Sequence, residues 1–493
     1  MSSSGTLTPS NSVETLISTN DGDGPRRKYF TLEPVVLLVF FGYNVCSTVF
    51  QDQLVFQVCV SELGYNFSDC IVLGTNNESQ VVQDLEKAVQ PYVADLIMTK
   101  SVVEAVIPAF LSLFIGPWSD KFGRKPMIVA SLTGFFLTFL IICILCAVSD
   151  AYIINPWYYV LASIPIAILG GICTLITGTF CYIADITTEK DRAVKMGVIE
   201  AALFVGLLFG SGSSSYIYAW SNTTTVFGIA TGSVFLALLY TIFFIEESKQ
   251  MNEMDSRSSI STMIRELFRF ELVRDMFVVC FRKRRNHDRA IIWMVMISLG
   301  FSIFIMEGNQ QVYFLFVRDV FAWTVRNFTI YCTTNTLSLI FGNMIAMYGL
   351  KRFFNLSETT LAIIAFSSCF LDSIISAVAF HSWHLYLAIG LTLLKGLVSP
   401  MCRSILATTS EHSNMDGNEI GKIYSFTTSL ESLMPIAAVP LYSQVYKATI
   451  NTYPGAFNII SAVIYGGILV CMVLVYVFQK MYHNVSYSNV INS

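Results

Sequence analysis

Gly116-Pro117-Trp118-Ser119-Asp120-Lys121-Phe122-Gly123-Arg124-Lys125 is a short polar turn between two apolar runs, at about 91–117 and 126–148. Each run is longer than the roughly 20 apolar residues that one bilayer-spanning helix needs. A turn this short holds no soluble domain, so the two runs form a hairpin through a membrane. Its cations, Lys121, Arg124 and Lys125, mark the side expected to face the cytosol.

The rest of the chain agrees with that hairpin. Of 493 residues, 54% are hydrophobic and only 13% are charged, whereas soluble domains carry about 25% charged residues. So little charge cannot cover a water-facing surface of this size, which excludes a soluble enzyme, a disordered regulator and a fibre. Apolar stretches fall at about 33–58, 91–117, 126–148, 155–184, 195–219 and 225–245. They resume at about 290–317, 328–350, 359–380, 384–408, 420–446 and 455–479. The fold expected is an all-α polytopic membrane protein with twelve transmembrane helices in two six-helix halves. The halves are 33–245 and 290–479, joined by a basic loop at 246–289. Residues 1–32 read as a disordered tail, since 1–28 are rich in Ser, Thr, Asn and Gly. The tail shows no cleavable signal peptide, and 480–493 form a second tail.

Basic residues orient the spans. Placing the N-terminus inside puts 23 of the 30 Lys and Arg on cytosolic segments and four (Lys87, Arg318, Arg326, Lys447) outside. That bias places both termini in the cytosol. The glycosylation acceptors Asn66 and Asn77 fall in the long first outside loop, and both are expected to be modified. Asn222 and Asn327 are further acceptors in outside loops. Most of the 12 cysteines lie in apolar runs and act as small hydrophobes. Cys59 and Cys70 stand in a polar stretch, where pairing and free thiols are equally open.

The opening turn matches the pattern G-x-x-x-D-[RK]-x-G-[RK]-[RK] at every specified position. Gly116 allows a neighbouring helix to approach closely, and Gly123 permits a tight turn. Asp120 can cap a helix end or accept from an arginine. Asp185 and Arg192 form a second charge cluster on the same face, able to pair across a cytosolic gate. The matching loop of the second half, Gly349-Leu-Lys351-Arg352, is a degraded copy. The pattern resembles the signature of the major facilitator superfamily, whose two halves enclose a central substrate site.

Gly116-Pro-Trp-Ser-Asp-Lys-Phe-Gly-Arg-Lys-Pro126, with Tyr182-Ile-Ala-Asp185, Ile199-Glu200-Ala201 and Arg403, is similar to solute carrier family 46, the group containing the proton-coupled folate transporter. The resemblance implies a role in proton coupling for Glu200 and in transport for Arg403. It implies roles for Asp120 and Arg124 in the conformational cycle. Two family features are missing. The span-seven histidine position reads Ile305-Met306-Glu307-Gly308, and no histidine lies deep in any span. The loop after span seven, Phe321-Ala322-Trp323, has no cysteine to pair with the first outside loop.

Eight ionisable residues sit deep in the expected spans: Lys100, Glu104, Glu200, Glu307, Asp372, Lys395, Arg403 and Glu431. Each costs about 2.5–3.5 kcal/mol at a helix centre, so such residues face a wet cavity or pair. Lys100 and Glu104, four apart, share a helix face and can neutralise each other. Lys395 and Arg403 in span ten suit an anionic substrate. Glu200 and Glu431 occupy corresponding places in the two halves and suit reversible proton carriage. Glu307 is placed to take over the missing histidine's role, and Asp372 reads as structural.

The function expected is secondary active transport of a small organic anion (folate-like, nucleotide-like or muropeptide-like) by alternating access, coupled to protons. The alternatives are uncoupled facilitated transport and a transporter-like receptor. No enzyme chemistry, cofactor, metal site or nucleic-acid partner is indicated. The plasma membrane is expected ahead of endosomes or lysosomes, although Tyr487-Ser-Asn-Val490 resembles an endolysosomal sorting signal.

Overall fold

A computed structural model describes residues 32–71, 73, 80–187, 189–248, 270–284, 287–345, 356–413 and 417–491. For some residues, Asp120, Lys121 and Arg192 among them, it describes the backbone alone. Every regular element among these residues is helical. That follows from the solvent, because lipid offers no partner to a free N–H or C=O and a helix satisfies both internally.

The spans run Glu33–Gln57, Gln80–Phe122, Lys125–Ser149, Trp157–Ile186 in three segments, Glu189–Trp220 and Thr223–Phe244. The second half runs Asp288–Phe321, Val325–Met344, Glu358–Ala377, a broken Ser382–His412, Gly417–Thr449 and Ala456–Ile491. Eight helices are long and apolar enough to cross a membrane by length and composition, and nine if the bent tenth span is one. Spans two, eight and eleven bring the number to twelve. They carry polar side chains in their interiors, Lys100 and Glu104 in span two, Thr333 and Asn335 in span eight, and Thr427 and Glu431 in span eleven.

Local chemistry sets the helix ends and breaks. Proline opens spans one, three and the middle segment of span four, where its fixed φ and missing N–H are tolerated. Asn222, Thr324 and Ser357 cap spans six, eight and nine by accepting from backbone N–H groups at 2.9, 3.4 and 3.2 Å. Asn222 and Asn327, read as acceptors, thus sit at the cap and first turn of helices. Span four, expected as one run, is interrupted beside Pro165 and by Gly170 at φ 90°. Span ten bends by 53° around the tight turn Leu393–Leu397. Pro400 lacks the N–H that would continue the ladder there.

Span one continues through a wider turn, Val58–Glu62, into a disulfide between Cys59 and Cys70. That settles the choice between paired and free thiols. The central loop forms a helix at Phe270–Phe281, while 249–269 lie outside the described residues.

Spans one and five pack closely because Gly206 has no side chain, and a Cβ there would lie 2.6 Å from the Leu37 carbonyl oxygen. The halves meet where span two packs on span eleven and span five on span eight. The face at which span one begins and span twelve ends is called the terminal face below, and the other the opposite face.

Candidate transport pathway and gates

The turn between spans two and three is a built charge cluster. Arg124, 5% exposed, donates through Nε to the Asp185 carboxylate at 2.9 Å and through Nη1 to the Ser119 hydroxyl. Ser248 donates to the same Asp185 oxygen at 3.2 Å. Glu247, just after span six, accepts from the backbone N–H of Arg124 at 2.7 Å and of Lys125 at 3.1 Å. A carboxylate there completes the positive N-terminus of span three. Gly123 is required twice: its φ is 97°, and a Cβ would stand 2.5 Å from Glu247 Oε2. Asp185 and Arg124 thus meet as a pair, while Glu247 is an addition. Two adjacent acidic residues after a span were its only mark in the sequence. Gly116 and Asp120 lie in the last turns of span two, and the side chains of Asp120 and Arg192 lie outside the described residues.

The intramembrane charges stand in two tiers. From the terminal-face helix ends, at 1.5 Å per residue, Arg403, Glu200 and Glu431 lie about 14, 16 and 21 Å deep. Arg403 Nη2 reaches both Glu431 oxygens, at 3.1 and 2.9 Å, and its side chain is 38% exposed. Glu200, from the other half, is within electrostatic reach of Arg403. The second tier is deeper. Lys100 and Glu104 pair at 2.7 Å, and the Lys100 ammonium lies 5.3 Å from the Phe50 ring centre. Glu307 is within electrostatic reach of Glu104, and both are within reach of Tyr43. Neither Glu200 nor Glu307 has an ion-pair partner among the described residues.

Lys395 does not join Arg403. The bend in span ten turns it to Asp372 of span nine at 3.1 Å, where Thr392 also donates at 3.4 Å. Asp372, read as structural, is therefore the residue that holds Lys395.

A third cluster stands at the opposite face. Arg318 of span seven, 2% exposed in its side chain, pairs with Asp52 of span one at 2.5 Å and Glu86 of span two at 2.7 Å. Tyr218 donates to Asp52 at 3.1 Å, Gln90 to Glu86 at 3.2 Å, and Tyr446 to Gln90 at 2.6 Å. Lys447 pairs with Asp95 at 2.5 Å nearby. Further in, Ser101 donates to Gln311 at 2.8 Å. Each of these ion pairs joins the two halves. Sequence reasoning treated Arg318 as a loop charge and passed over Asp52, although Asp52 stands inside the first apolar run. Asn66 is exposed beside the disulfide on this face, while Asn77 lies outside the described residues.

A two-half bundle of twelve helices, joined by ion pairs across one face and lined with charges inside, is the architecture of a membrane transporter. Residues 91–439 match the model of the Major Facilitator Superfamily, and the chain belongs to that superfamily. Among curated relatives, a Drosophila melanogaster protein described as a probable peptidoglycan muropeptide transporter of solute carrier family 46 is 33% identical over 89% of this chain and 83% of its own. The proton-coupled folate transporter of Rattus norvegicus is 21% identical over 91% and 92%. Among solved structures, a human organic anion transporter superposes with a TM-score of 0.58 at 14% identity, covering 90% of this chain and 99% of that one. That likeness speaks to the fold. The chain is a multi-pass membrane transporter and not an enzyme.

Proposed function

We propose that this protein is a proton-coupled carrier of a small organic anion, working by alternating access, with the terminal face in the cytosol of the plasma membrane. The observation that carries the reading is the Arg403–Glu431 pair with Glu200 beyond it in the other half. A guanidinium fork held by one carboxylate is a site for which another carboxylate can compete. A proton on Glu431 removes the anion that holds Arg403, so proton binding and substrate binding favour each other. Glu200 and Glu307, without ion-pair partners among the described residues, are the further proton carriers. Lys100 and Glu104 keep the deeper tier neutral and polar.

In the cycle, Gly116, Asp120, Gly123, Arg124, Asp185 and Arg192 brace the terminal-face gate, and the Arg318 cluster latches the opposite one. Lys395 shapes span ten through Asp372. The named substrates of the two relatives, muropeptides and folate, both carry carboxylates, which supports an organic anion here. The 23-to-4 distribution of basic residues supports the orientation. Exposed Asn66, and Asn77 in the same loop, are then glycosylated.

The test is uptake into proteoliposomes of folates, nucleotides and muropeptides under an inward proton gradient. Glu200→Gln should lose gradient-driven uptake and keep substrate exchange. Uptake by that variant with an unchanged pH optimum removes Glu200 as a carrier. A flat pH profile for the native protein with transport intact establishes the uncoupled alternative.

A further inference from the structure

The helix Phe270–Phe281 between the halves has two unlike sides. One side is docked. Val279 and Cys280 are buried, the Trp293 indole donates to the Cys280 carbonyl oxygen at 3.1 Å, and Phe277 meets Phe426 of span eleven with centroids 5.0 Å apart. Burial pushes the Cys280 thiol up to about 11 against the pull of the Arg284 guanidinium, as expected of a dry contact. Through this side the helix packs against spans eleven and two.

The other side is open. Arg274, Val278 and Phe281 follow one another at i, i+4 and i+7, which puts them in one row along the helix. Val278 is 59% and Phe281 57% exposed, although one edge of the Phe281 ring meets Trp293 with centroids 4.8 Å apart, and Phe277 at 43% lies on the edge of the same side. The row starts at exposed Arg274 and ends beside exposed Lys283. Arg284 folds back to donate to the Val279 carbonyl oxygen at 2.9 Å, which fixes where the basic run leaves the helix. Phe281 precedes span seven at Asp288 by only seven residues, a reach of at most about 25 Å, so the helix stays near the terminal-face end of that span.

Apolar side chains flanked by cations, on a helix tethered close to the end of a span, match an acidic leaflet. The rings enter the acyl boundary while the cations stay at headgroup level. We propose that the open side of Phe270–Phe281 is a binding surface for anionic phospholipid of the leaflet at the terminal face. The physiological lipid follows from the cytosolic assignment above, where acidic lipids concentrate. The binding itself does not need that assignment. Phe426 lies five residues before Glu431 on span eleven, so the leaflet that holds this helix also holds the span bearing the Arg403 partner.

The test places the full chain in nanodiscs of phosphatidylcholine and adds increasing phosphatidylserine, reading the melting temperature. The native chain should be stabilised along a saturating curve. Arg274→Gln with Lys283→Gln, both on exposed side chains, should need roughly 30-fold more acidic lipid for the same rise, the worth of two surface cations. Val278→Glu should lose the rise by placing an anion in the apolar row. Equal melting temperatures for the native chain with and without phosphatidylserine overturn the proposal, as does a full rise in the double variant. A rise of the same size with water-soluble glycerophosphoserine also overturns it, since the ligand would then be a free headgroup. Because both leaflets are alike, a negative result counts against the lipid surface and leaves the transport reading and its orientation standing.

Discussion

The two faces of this transporter use similar charges to opposite ends. On the terminal face, Arg124 pairs with Asp185 and Lys195 with Glu33, both within the first half. On the opposite face, Arg318 pairs with Asp52 and Glu86, and Lys447 with Asp95, all across the halves. A pair within a half stiffens that half and moves with it. A pair across halves must break before the halves can part. Among the described residues, the difference separates ion pairs that brace one half from ion pairs that join the two, and the joining pairs lie on the opposite face.

The strongest way to break the comparison is Arg318→Ala. It strands two poorly exposed carboxylates, and removing one partner of a buried pair costs about 3–5 kcal/mol. Borne on the closed state alone, even half of that moves the equilibrium more than tenfold. A cysteine at Ser101, which lies at the seam, should then react with an impermeant maleimide at least tenfold faster from the opposite face. Unchanged labelling would mean that Arg318 is not the latch. Partial restoration of the slow rate by Arg318→Asp with Asp52→Arg would show that charge, not packing, holds it.

Gly123→Ala probes the other face. It forces a side chain into a left-handed backbone and against Glu247, for an expected loss of about 1–3 kcal/mol. The melting temperature should fall while Ser101 labelling from the opposite face stays slow. Faster labelling would erase the distinction between brace and latch. Lys447→Ala should matter least. Its pair with Asp95 is about a third exposed on both sides, so about 0.2–1 kcal/mol is at stake, fading with salt. An effect equal to that of Arg318→Ala would show the latch to be spread over the whole face rather than centred on one guanidinium.

What could be read from the chain alone followed the solvent. Lipid leaves each span a long apolar run, and the Gly116–Lys125 turn is local, so the fold and that turn were legible, while the pairing of Asp185 with Arg124 was not. The i, i+4 pair Lys100–Glu104 was legible for the same reason. The latch was not, because Arg318 meets Glu86 across 232 residues and Asp52 across 266, and no local pattern encodes such meetings. Lys395 was drawn toward Arg403 because both stand in span ten. The bend at Leu393–Leu397 parts them, and it depends on how span ten packs rather than on its composition. Glu247 went unseen because its ligands are backbone N–H groups, which every sequence has.

Spans eight and eleven raise a problem of birth. Asn335 and Glu431 make each a weak candidate to leave the translocation channel for lipid alone. Their packing partners, spans five and two, belong to the first half and are synthesised earlier. The first half is therefore a waiting template. Until the ribosome reaches the second half, the first half presents a polar seam that only its sister can cover. A chain cut after the sixth span should be caught by membrane quality control, and supplying the second half as a separate chain should spare it.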